Sequence, residues 1–538
     1  MTMQGTVGGG PGRVRRRSAI DRSPPPPPKQ GWLDERLGVR AFYEKYGRKA
    51  FPVHHTFFFG EMAVFSFIIL IVTGVYLGLI YVPSNAEVTI DGETLPEAYA
   101  STQLIESIPV ANLFRNVHHW GAHLMVISIL LHTVRIFFTG TYRKPREVNW
   151  VIGVVLLGLT LLAGFVGYSL PYDSYAVTAT GIGYAIARSI PWVGETASEL
   201  FFGGNFPTLG SLPRLYTIHV FIVPALLALL MGLHVLIVTK QKHSQPGYAK
   251  KLAEPGRVLG VPLWPYQALL AGQLLLLMFG ALFILSAIVP AHPLDAYGPP
   301  GPGTQEVKPD WYLLWIYGLL EILPASIEFN LFGEPITTNF IAGIAFPAVF
   351  FGLITLAPWL DRTNLHATNR FEYMEPPRQS GIRLACGFYV LALLCSLFLA
   401  GFHRELGMSL PVIWSIVFIG PVVVAGAAFA LARATYKDAY FDPTSEDAPS
   451  VSSPGVETYG APGSGIEPGD FVEVDGYARD GLVGALRRAE SMAGTDGLGR
   501  DERDEALARI DRLRERLVSE GARDGGEMGS GPGPPGAG

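Results

Sequence analysis

The feature that most constrains this chain is a series of eight apolar segments, each long enough to cross a lipid bilayer. Their approximate limits are 56–82, 114–138, 150–170, 215–239, 264–290, 337–358, 382–402 and 409–433. A bilayer offers no water to backbone groups, so such segments cross it as α-helices. Only 16% of the residues are charged, below the roughly one quarter that is usual in soluble domains. The sequence therefore predicts an all-α membrane protein with eight transmembrane helices.

The distribution of Lys and Arg among the loops predicts the orientation. Basic residues follow the even-numbered segments, at Arg143, Lys144, Arg146, Lys240, Lys242, Lys250, Lys251, Arg257, Arg362, Arg370, Arg378, Arg433 and Lys437. In contrast, the loop 83–113 carries five acidic residues and no Lys or Arg. Loops rich in Lys and Arg remain in the cytoplasm. We therefore expect even-numbered segments to end there, with both chain termini cytoplasmic.

Composition divides the chain into four regions. They are a basic, Pro-rich cytoplasmic tail (1–45), a first four-helix domain (46–245), a second four-helix domain (246–435) and a largely disordered cytoplasmic tail (436–538) with an amphipathic helix near 500–520. The segment 171–213 is too polar to cross, and 311–323 is too short. We expect surface or interfacial helices in both.

The chain contains two cysteines, Cys386 and Cys395, in one apolar segment. A spacing of nine residues corresponds to about 13 Å along a helix, which is too far for a disulfide. A disulfide framework and a cysteine metal site are both disfavoured. We expect the two thiols to be buried packing residues.

Four histidines lie inside two of the apolar segments, at His118 and His132 in the second and at His219 and His234 in the fourth. Ionisable residues within a membrane helix are costly and usually functional. Spacings of 14 and 15 residues keep each pair on one side of its helix, with about 21–22 Å between its members. The two helices run in the same direction, which places His118 level with His219 and His132 level with His234.

Two stacked histidine pairs indicate two bis-histidine haems, one near each membrane surface. A single tetrahedral zinc site is disfavoured, because its ligands would have to cluster at one depth. Two pairs of glycines with a 14-residue period occur at matching depths in the first and third segments, where a flat macrocycle could lie against the backbone: Gly60, Gly74, Gly153 and Gly167. Three arginines near the histidines could pair with haem propionates: Arg115, Arg135 and Arg214.

These motifs together resemble the cytochrome b family of cytochrome bc complexes, over roughly residues 45–435. RNVHHWGAHLMVISILLH (115–132) and RLYTIHVFIVPALLALLMGLH (214–234) look like the second and fourth helices of the family. KPREVNWVIG (144–153) and GYSLPYDSYAV (167–177) are similar to the chloroplast-type form. Pro309-Asp310-Trp311-Tyr312 resembles the Pro-Glu-Trp-Tyr signature of the outer quinol site. FFFGEMAVFSFIILIVTG (57–74) and the fused eight-helix chain look most like the actinobacterial form.

The resemblance implies a respiratory electron-transport subunit in the bacterial plasma membrane, whose first four helices form a bundle around two b-type haems. It implies a quinol:cytochrome c oxidoreductase that works with a Rieske iron–sulfur protein and a cytochrome c subunit, often with a terminal oxidase. Menaquinol is the usual quinol of that lineage, and a homodimer in membrane lipid is the usual assembly. Nucleic acid is not an expected partner. A covalently attached third haem is not expected either, because Phe58 occupies the position of its cysteine.

For the outer quinol site, the resemblance implies Asp310 as proton acceptor, with Tyr312 and Tyr317 bonding to or gating the quinol ring. Electrons would cross the membrane through the two haems to an inner quinone site, and proton release outside would contribute to the proton motive force. The polar candidates at the inner site are His54, His55, Lys240 and His243.

Two other functional classes remain open from the residues alone. A di-haem membrane anchor of a dehydrogenase or hydrogenase would also use two histidine pairs, although it needs neither eight helices nor the Pro-Asp-Trp-Tyr loop. A transporter could use intramembrane histidines for protons or a metal ion, and it would have no visible absorbance.

Overall fold

The structure is a computed structural model that describes residues 31–436 and Asp511. Within that range, residues 53, 91, 248–257, 292–293, 295–296, 298–306, 366–370 and 372 are not described. The Pro-rich start of the chain and the helix expected near 500–520 lie outside the described residues, apart from Asp511.

Among the described residues, eight helices are long and apolar enough to cross a membrane. We call them spans 1 to 8: His55–Gly78, Pro109–Phe138, Glu147–Tyr168, Ser211–Gln241, Leu263–Ile288, Thr338–Leu360, Gly381–Ala400 and Leu410–Thr435. Each overlaps one predicted segment, which confirms the prediction of an eight-helix, all-α membrane protein. Span 2 begins five residues before its predicted limit, because Pro109 suits the first turn of a helix.

The spans expose large apolar side chains, as helices that face lipid do. Leu276 and Ile288 of span 5, for example, are 72% and 73% exposed. The expectation that both cysteines are buried is wrong, since Cys386 and Cys395 are exposed on span 7. An apolar segment can direct its side chains to lipid as well as to a protein core, and hydropathy does not distinguish the two.

Two apolar clusters occupy the interior of the helical bundle. Phe67, Met125, Val166 and Leu215 join spans 1 to 4 in the first cluster. In the second, a short helix, Leu314–Ile322, packs against spans 6, 7 and 8 through Trp315 and Leu319. Phe67 and Met125 of the first cluster line the same cavity as His118 and His219. The second cluster fixes the helix that follows residues 307–313, which we call the Asp310 segment.

Short elements connect the spans. The polar segment after span 3 forms helices Ser174–Arg188 and Gly194–Phe202, and Glu97–Ser107 is a helix before span 2. Antiparallel hairpins pair Glu87–Ile90 with Glu93–Pro96 and Glu328–Leu331 with Glu334–Thr337. A third antiparallel pair joins Ala50–Phe51 to Val261–Pro262, just before spans 1 and 5.

The described residues that precede Lys49 form a unit of their own. Its described part consists of short helices at Trp32–Leu37, Val39–Phe42 and Tyr43–Gly47. Asp34 Oδ1 accepts a hydrogen bond from the backbone N–H of Arg40 at 2.7 Å, which joins the first helix to the second.

Candidate functional site

His118 of span 2 and His219 of span 4 face each other, with ring centroids 6.1 Å apart and ring planes inclined by 65°. Thr73 Oγ1 donates to Ile69 O at 2.8 Å and lies 2.9 Å from His118 Nδ1. The hydroxyl proton is therefore engaged, so the oxygen accepts from a protonated Nδ1. His219 Nδ1 lies 3.0 Å from Ala163 O, which can only accept. Both rings thus carry their proton on Nδ1 and present an unprotonated Nε2, the form that ligates a metal.

A π-helical segment in span 4, Ile218–Ile222, contains His219. A π-turn accommodates one residue more than an α-turn, and such turns often occur at functional sites. The extra residue offsets the difference between the 15-residue spacing in span 4 and the 14-residue spacing in span 2. Pro224 follows the segment and has no N–H to continue the α-helical hydrogen bonds. The two helices can therefore present their histidines at the same depths.

His132 and His234 form the second pair, with ring centroids 6.4 Å apart and ring planes inclined by 70°. His132 Nδ1 is buried and has no hydrogen-bond partner among the described residues. A buried polar atom of this kind costs free energy unless something else satisfies it. Two metal–nitrogen bonds of about 2 Å each, with the two ring radii, would span about 6.4 Å between centroids. Both pairs have the spacing that one metal ion between the rings requires.

Each of the four glycines lies against one imidazole ring. An ideal Cβ would be 3.1 Å from His118 Cε1 at Gly74 and 2.6 Å from His219 Cε1 at Gly167. In the second pair, the corresponding distances are 3.2 Å from His132 at Gly60 and 3.6 Å from His234 at Gly153. Gly74 and Gly167 thus belong to the first pair, and Gly60 and Gly153 to the second. The missing side chains leave room for the rings.

The three candidate arginines have different surroundings. Arg115 forms an ion pair with Glu106 at 2.9 Å, and Arg214 donates to the backbone oxygen of Gly210 at 2.9 Å. Arg135 lies over the ring of Phe57, 4.3 Å from its centroid, and contacts Thr56 Oγ1 at 3.4 Å. No ion pair of Arg135 occurs in the described part of the chain. Arg135 and Arg214 therefore both keep their charge for an anionic group, and Arg135 is the less exposed of the two.

A cavity of about 310 Å³ extends from the His118–His219 pair to Asp310, and we call it the Asp310 cavity. Its lining includes Asp310, Tyr312 and Tyr175, together with both histidines. Asp310 Oδ2 accepts a hydrogen bond from the Tyr312 hydroxyl at 2.8 Å. Burial, and then the negative charge of Asp310, raise the pKa of Tyr312 well above its ordinary value. Tyr312 is therefore a hydrogen-bond donor at neutral pH, and it leaves Asp310 Oδ1 available to a ligand.

Two more tyrosines, Tyr317 and Tyr175, lie near this cavity or line it. Tyr317 is buried in the helix Leu314–Ile322 and is not part of the cavity lining. The Tyr175 hydroxyl donates to the backbone oxygen of Lys308, which connects the helix after span 3 to the Asp310 segment. Burial, followed by the charges of Asp310 and Asp173, raises the pKa of Tyr175. Sequence reasoning missed Tyr175, although it lies in the GYSLPYDSYAV motif.

A group of basic side chains lies beyond the second histidine pair. The rings of His54 and His55 stack at 4.4 Å, and His243 lies 6.0 Å from the ring of Phe57. Burial, and then the charges of Arg135, Arg146 and Lys49, lower the pKa of His243 to about 4. Lys49 Nζ donates to the backbone oxygen of Thr239. Lys240 is exposed, so the lysine within this group is Lys49, which the sequence did not single out.

The arrangement fits haem. Each pair offers two imidazole nitrogens at the separation that one iron requires, and the glycines leave room for the rings that would hold it. Two nitrogen ligands would close the iron to substrate, which suits electron transfer. Asp310 could accept a proton from a hydroxyl in the adjoining cavity.

Known proteins are similar to this chain over most of its length. A family model described as Cytochrome b(N-terminal)/b6/petB matches residues 123–299. The cytochrome bc1 complex cytochrome b subunit of Streptomyces coelicolor is 35% identical over 415 residues, which are 73% of this chain and 75% of that protein. The subunit of the same name from Mycobacterium leprae is 35% identical over 397 residues, 70% of each chain.

A solved structure titled "Hyperthermophilic respiratory Complex III" is also similar to this chain. It aligns with a TM-score of 0.56 and 23% identity, and it covers 74% of this chain and 99% of that one. At this identity the likeness concerns the fold alone.

Proposed function

This chain belongs to the cytochrome b family of cytochrome bc1 complexes, and we propose that it oxidises quinol in the Asp310 cavity and carries electrons across the membrane. Family membership makes it a multi-pass membrane protein of a respiratory redox complex and implies b-type haem. The observation that carries the finer proposal is that Asp310 and the His118–His219 pair line one cavity. A bound quinol would then lie beside both a proton acceptor and an electron acceptor.

We assign one b-type haem to each histidine pair. When bound, a bis-histidine haem takes up and passes on single electrons. His118 and His219 would hold the first through Nε2, because Thr73 and the Ala163 carbonyl fix their Nδ1 protons. His132 and His234 would hold the second, where the charge of Arg135 can pair with a propionate. No residue is assigned to a covalent third haem.

Quinol oxidation releases two electrons and two protons. Asp310 accepts one of these protons on Oδ1, because Tyr312 occupies Oδ2 and stays protonated. Tyr312 also limits how far the carboxylate can turn until that hydrogen bond breaks. Tyr317 acts indirectly, because its buried side chain stabilises the helix Leu314–Ile322, which follows Asp310. One electron goes to a Rieske protein, and the chain carries the other towards the second histidine pair.

The basic group of His54, His55 and His243 is proposed to bind quinone at the other face. Quinone reduction consumes protons and builds negative charge on the ring oxygens, which nearby cations stabilise. Lys49 and Arg146 supply positive charge there. Lys240 is exposed and would act only as an entry for protons from the surface. Uptake here and release at the Asp310 cavity together contribute to the proton motive force.

The proposal includes the location and the partners. The chain would lie in a bacterial plasma membrane with both termini in the cytoplasm and with the Asp310 cavity on the outer side. A Rieske iron–sulfur protein and a cytochrome c subunit would accept the electrons, and a terminal oxidase could join a supercomplex with a cytochrome b homodimer. The quinol is proposed to be menaquinol.

The experiment that tests this function is quinol-to-cytochrome c turnover of the intact complex carrying Asp310→Asn. Asparagine preserves the size of the side chain but cannot take up a proton at neutral pH. Loss of a general base lowers the rate by about 10²–10⁴, and haem spectra should be unchanged. Asp310→Glu is the matched control and should retain most of the rate, since it restores a carboxylate. Normal spectra with at least half the parental rate in Asp310→Asn would contradict the proposal.

A further inference from the structure

His123 lies on span 2, five residues after His118, and contacts the Asp310 segment. Trp311 Nε1 donates a hydrogen bond to His123 Nδ1 at 2.9 Å, across 188 residues of sequence. Trp311 stands between Asp310 and Tyr312, and the His123 ring lies 6.1 Å from the ring of Tyr312. Span 2, which carries the proposed haem ligand His118, is therefore hydrogen-bonded to Trp311, the neighbour of Asp310.

The hydrogen bonds around His123 define which of its nitrogens carries the proton. Indole N–H groups only donate, so Nδ1 accepts from Trp311 and the neutral ring carries its proton on Nε2. His123 Nε2 lies 3.1 Å from His119 Nε2 and donates to it. With one bond accepted and one donated, both nitrogens are engaged and the ring is held in one orientation.

The Asp310 segment is joined to distant parts of the chain at Lys308 as well as at Trp311. The Tyr175 hydroxyl donates to the backbone oxygen of Lys308, and Lys308 Nζ donates to Glu405 Oε1. In the part of the chain that the structure describes, the Tyr312 hydroxyl bonds to Asp310, and Trp315 Nε1 bonds to the backbone oxygen of Tyr312 at 3.0 Å. Both of these bonds stay within residues 310–315. Among the described side-chain hydrogen bonds of residues 309–313, the bond from Trp311 is the one that reaches another helix, and it joins the neighbour of Asp310 to the span that carries His118.

We propose that His123 is a positioning residue for quinol oxidation, which anchors Trp311 and thereby holds Asp310 in the cavity. This inference rests on the proposed function of Asp310 and adds a residue to its site. A displacement of about 1 Å of a reacting group can lower a rate by about 10². His123 also lines the Asp310 cavity, and the role proposed for it acts through Trp311.

The test compares three variants in the intact complex, by kcat and KM for quinol. His123→Leu removes the acceptor and should lower kcat by about 10- to 100-fold with little change in KM. His123→Asn places an oxygen where Nδ1 lies and should stay within about 3-fold of the parental kcat. Trp311→Phe removes the donor and leaves span 2 unaltered, so it gives the same information if His123→Leu fails to assemble.

A double-mutant cycle distinguishes the hydrogen bond from general damage. If the two residues act through one bond, His123→Leu with Trp311→Phe should be no slower than the slower single variant. Trp150→Phe is the control, because it removes an indole bond of 2.8 Å to Ile354 O, away from the Asp310 segment, and should leave kcat unchanged. Additive losses, or failure of Asn to restore the rate, would overturn the inference.

The outcomes separate this inference from the proposed function. A parental rate in His123→Leu together with a slow Asp310→Asn would remove the role of His123 and leave that of Asp310. A parental rate in Asp310→Asn would remove both. A slow Asp310→Asn, a slow His123→Leu and rescue by Asn would support both.

Discussion

Of the four glycines that lie against the imidazole rings, Gly167 should tolerate replacement by Ala least. The new Cβ would lie 2.6 Å from His219 Cε1, where an ordinary contact needs about 3.4 Å. The ring must therefore move by about 0.8 Å, and its hydrogen bond from Nδ1 to Ala163 O, now 3.0 Å, opposes the movement. Overpacking of this kind costs about 1–3 kcal/mol.

The assay is haem content per chain and the reduced-minus-oxidised spectrum of the purified complex. Gly167→Ala should lose or shift the signal of the haem at His219 while the other haem is retained. Gly153→Ala is the matched control, because its Cβ would lie 3.6 Å from His234 Cε1, an ordinary contact. A parental spectrum in Gly167→Ala, or an equal loss of haem in Gly153→Ala, would refute the reasoning.

Two further predictions follow from the ends of the spans. Deleting residues after about 440 should leave quinol oxidation in the isolated, haem-replete complex largely intact, because span 8 ends at Thr435; loss of turnover would contradict this. The pKa of His243 is lowered from 6.5 to about 4, so the unfolded chain binds a proton there at higher pH than the folded chain. Stability should therefore fall as the pH drops from about 6.5 towards 4, and His243→Gln should show a smaller fall in unfolding temperature. Equal pH dependence of the two proteins would refute that assignment.

Hydropathy predicted the eight spans because lipid imposes a minimum apolar length on each crossing segment. It could not predict which side of a helix faces lipid. For this reason Cys386 and Cys395 were expected to be buried, although both are exposed. The spacing of the histidines predicted which of them lie at the same depth in the membrane. It did not predict the π-helical segment at His219, which compensates for the difference between spacings of 14 and 15 residues. A π-turn arises from tertiary packing and leaves no regular signal in a single sequence.

The contacts of charged and polar side chains were harder to predict from sequence. Arg115 precedes His118 by three residues, yet it pairs with Glu106, a carboxylate nine residues earlier. Lys240 follows the fourth apolar segment, whereas the lysine beside His243 is Lys49, which approaches from before span 1. The sequence did not single out His123, whose hydrogen-bond partner Trp311 is 188 residues away. Such contacts depend on how the helices pack, which the spacing of residues along one helix does not determine.

The central claim is that two histidine pairs bind two haems, and the most direct measurement is haem per chain in ligand variants. The parent complex should contain two b-type haems per chain, and His132→Leu and His234→Leu should each contain about one, at His118 and His219. The facing rings at 6.4 Å motivate this expectation, because one leucine leaves the iron with a single ligand. Retention of two haems per chain in both variants would contradict the account.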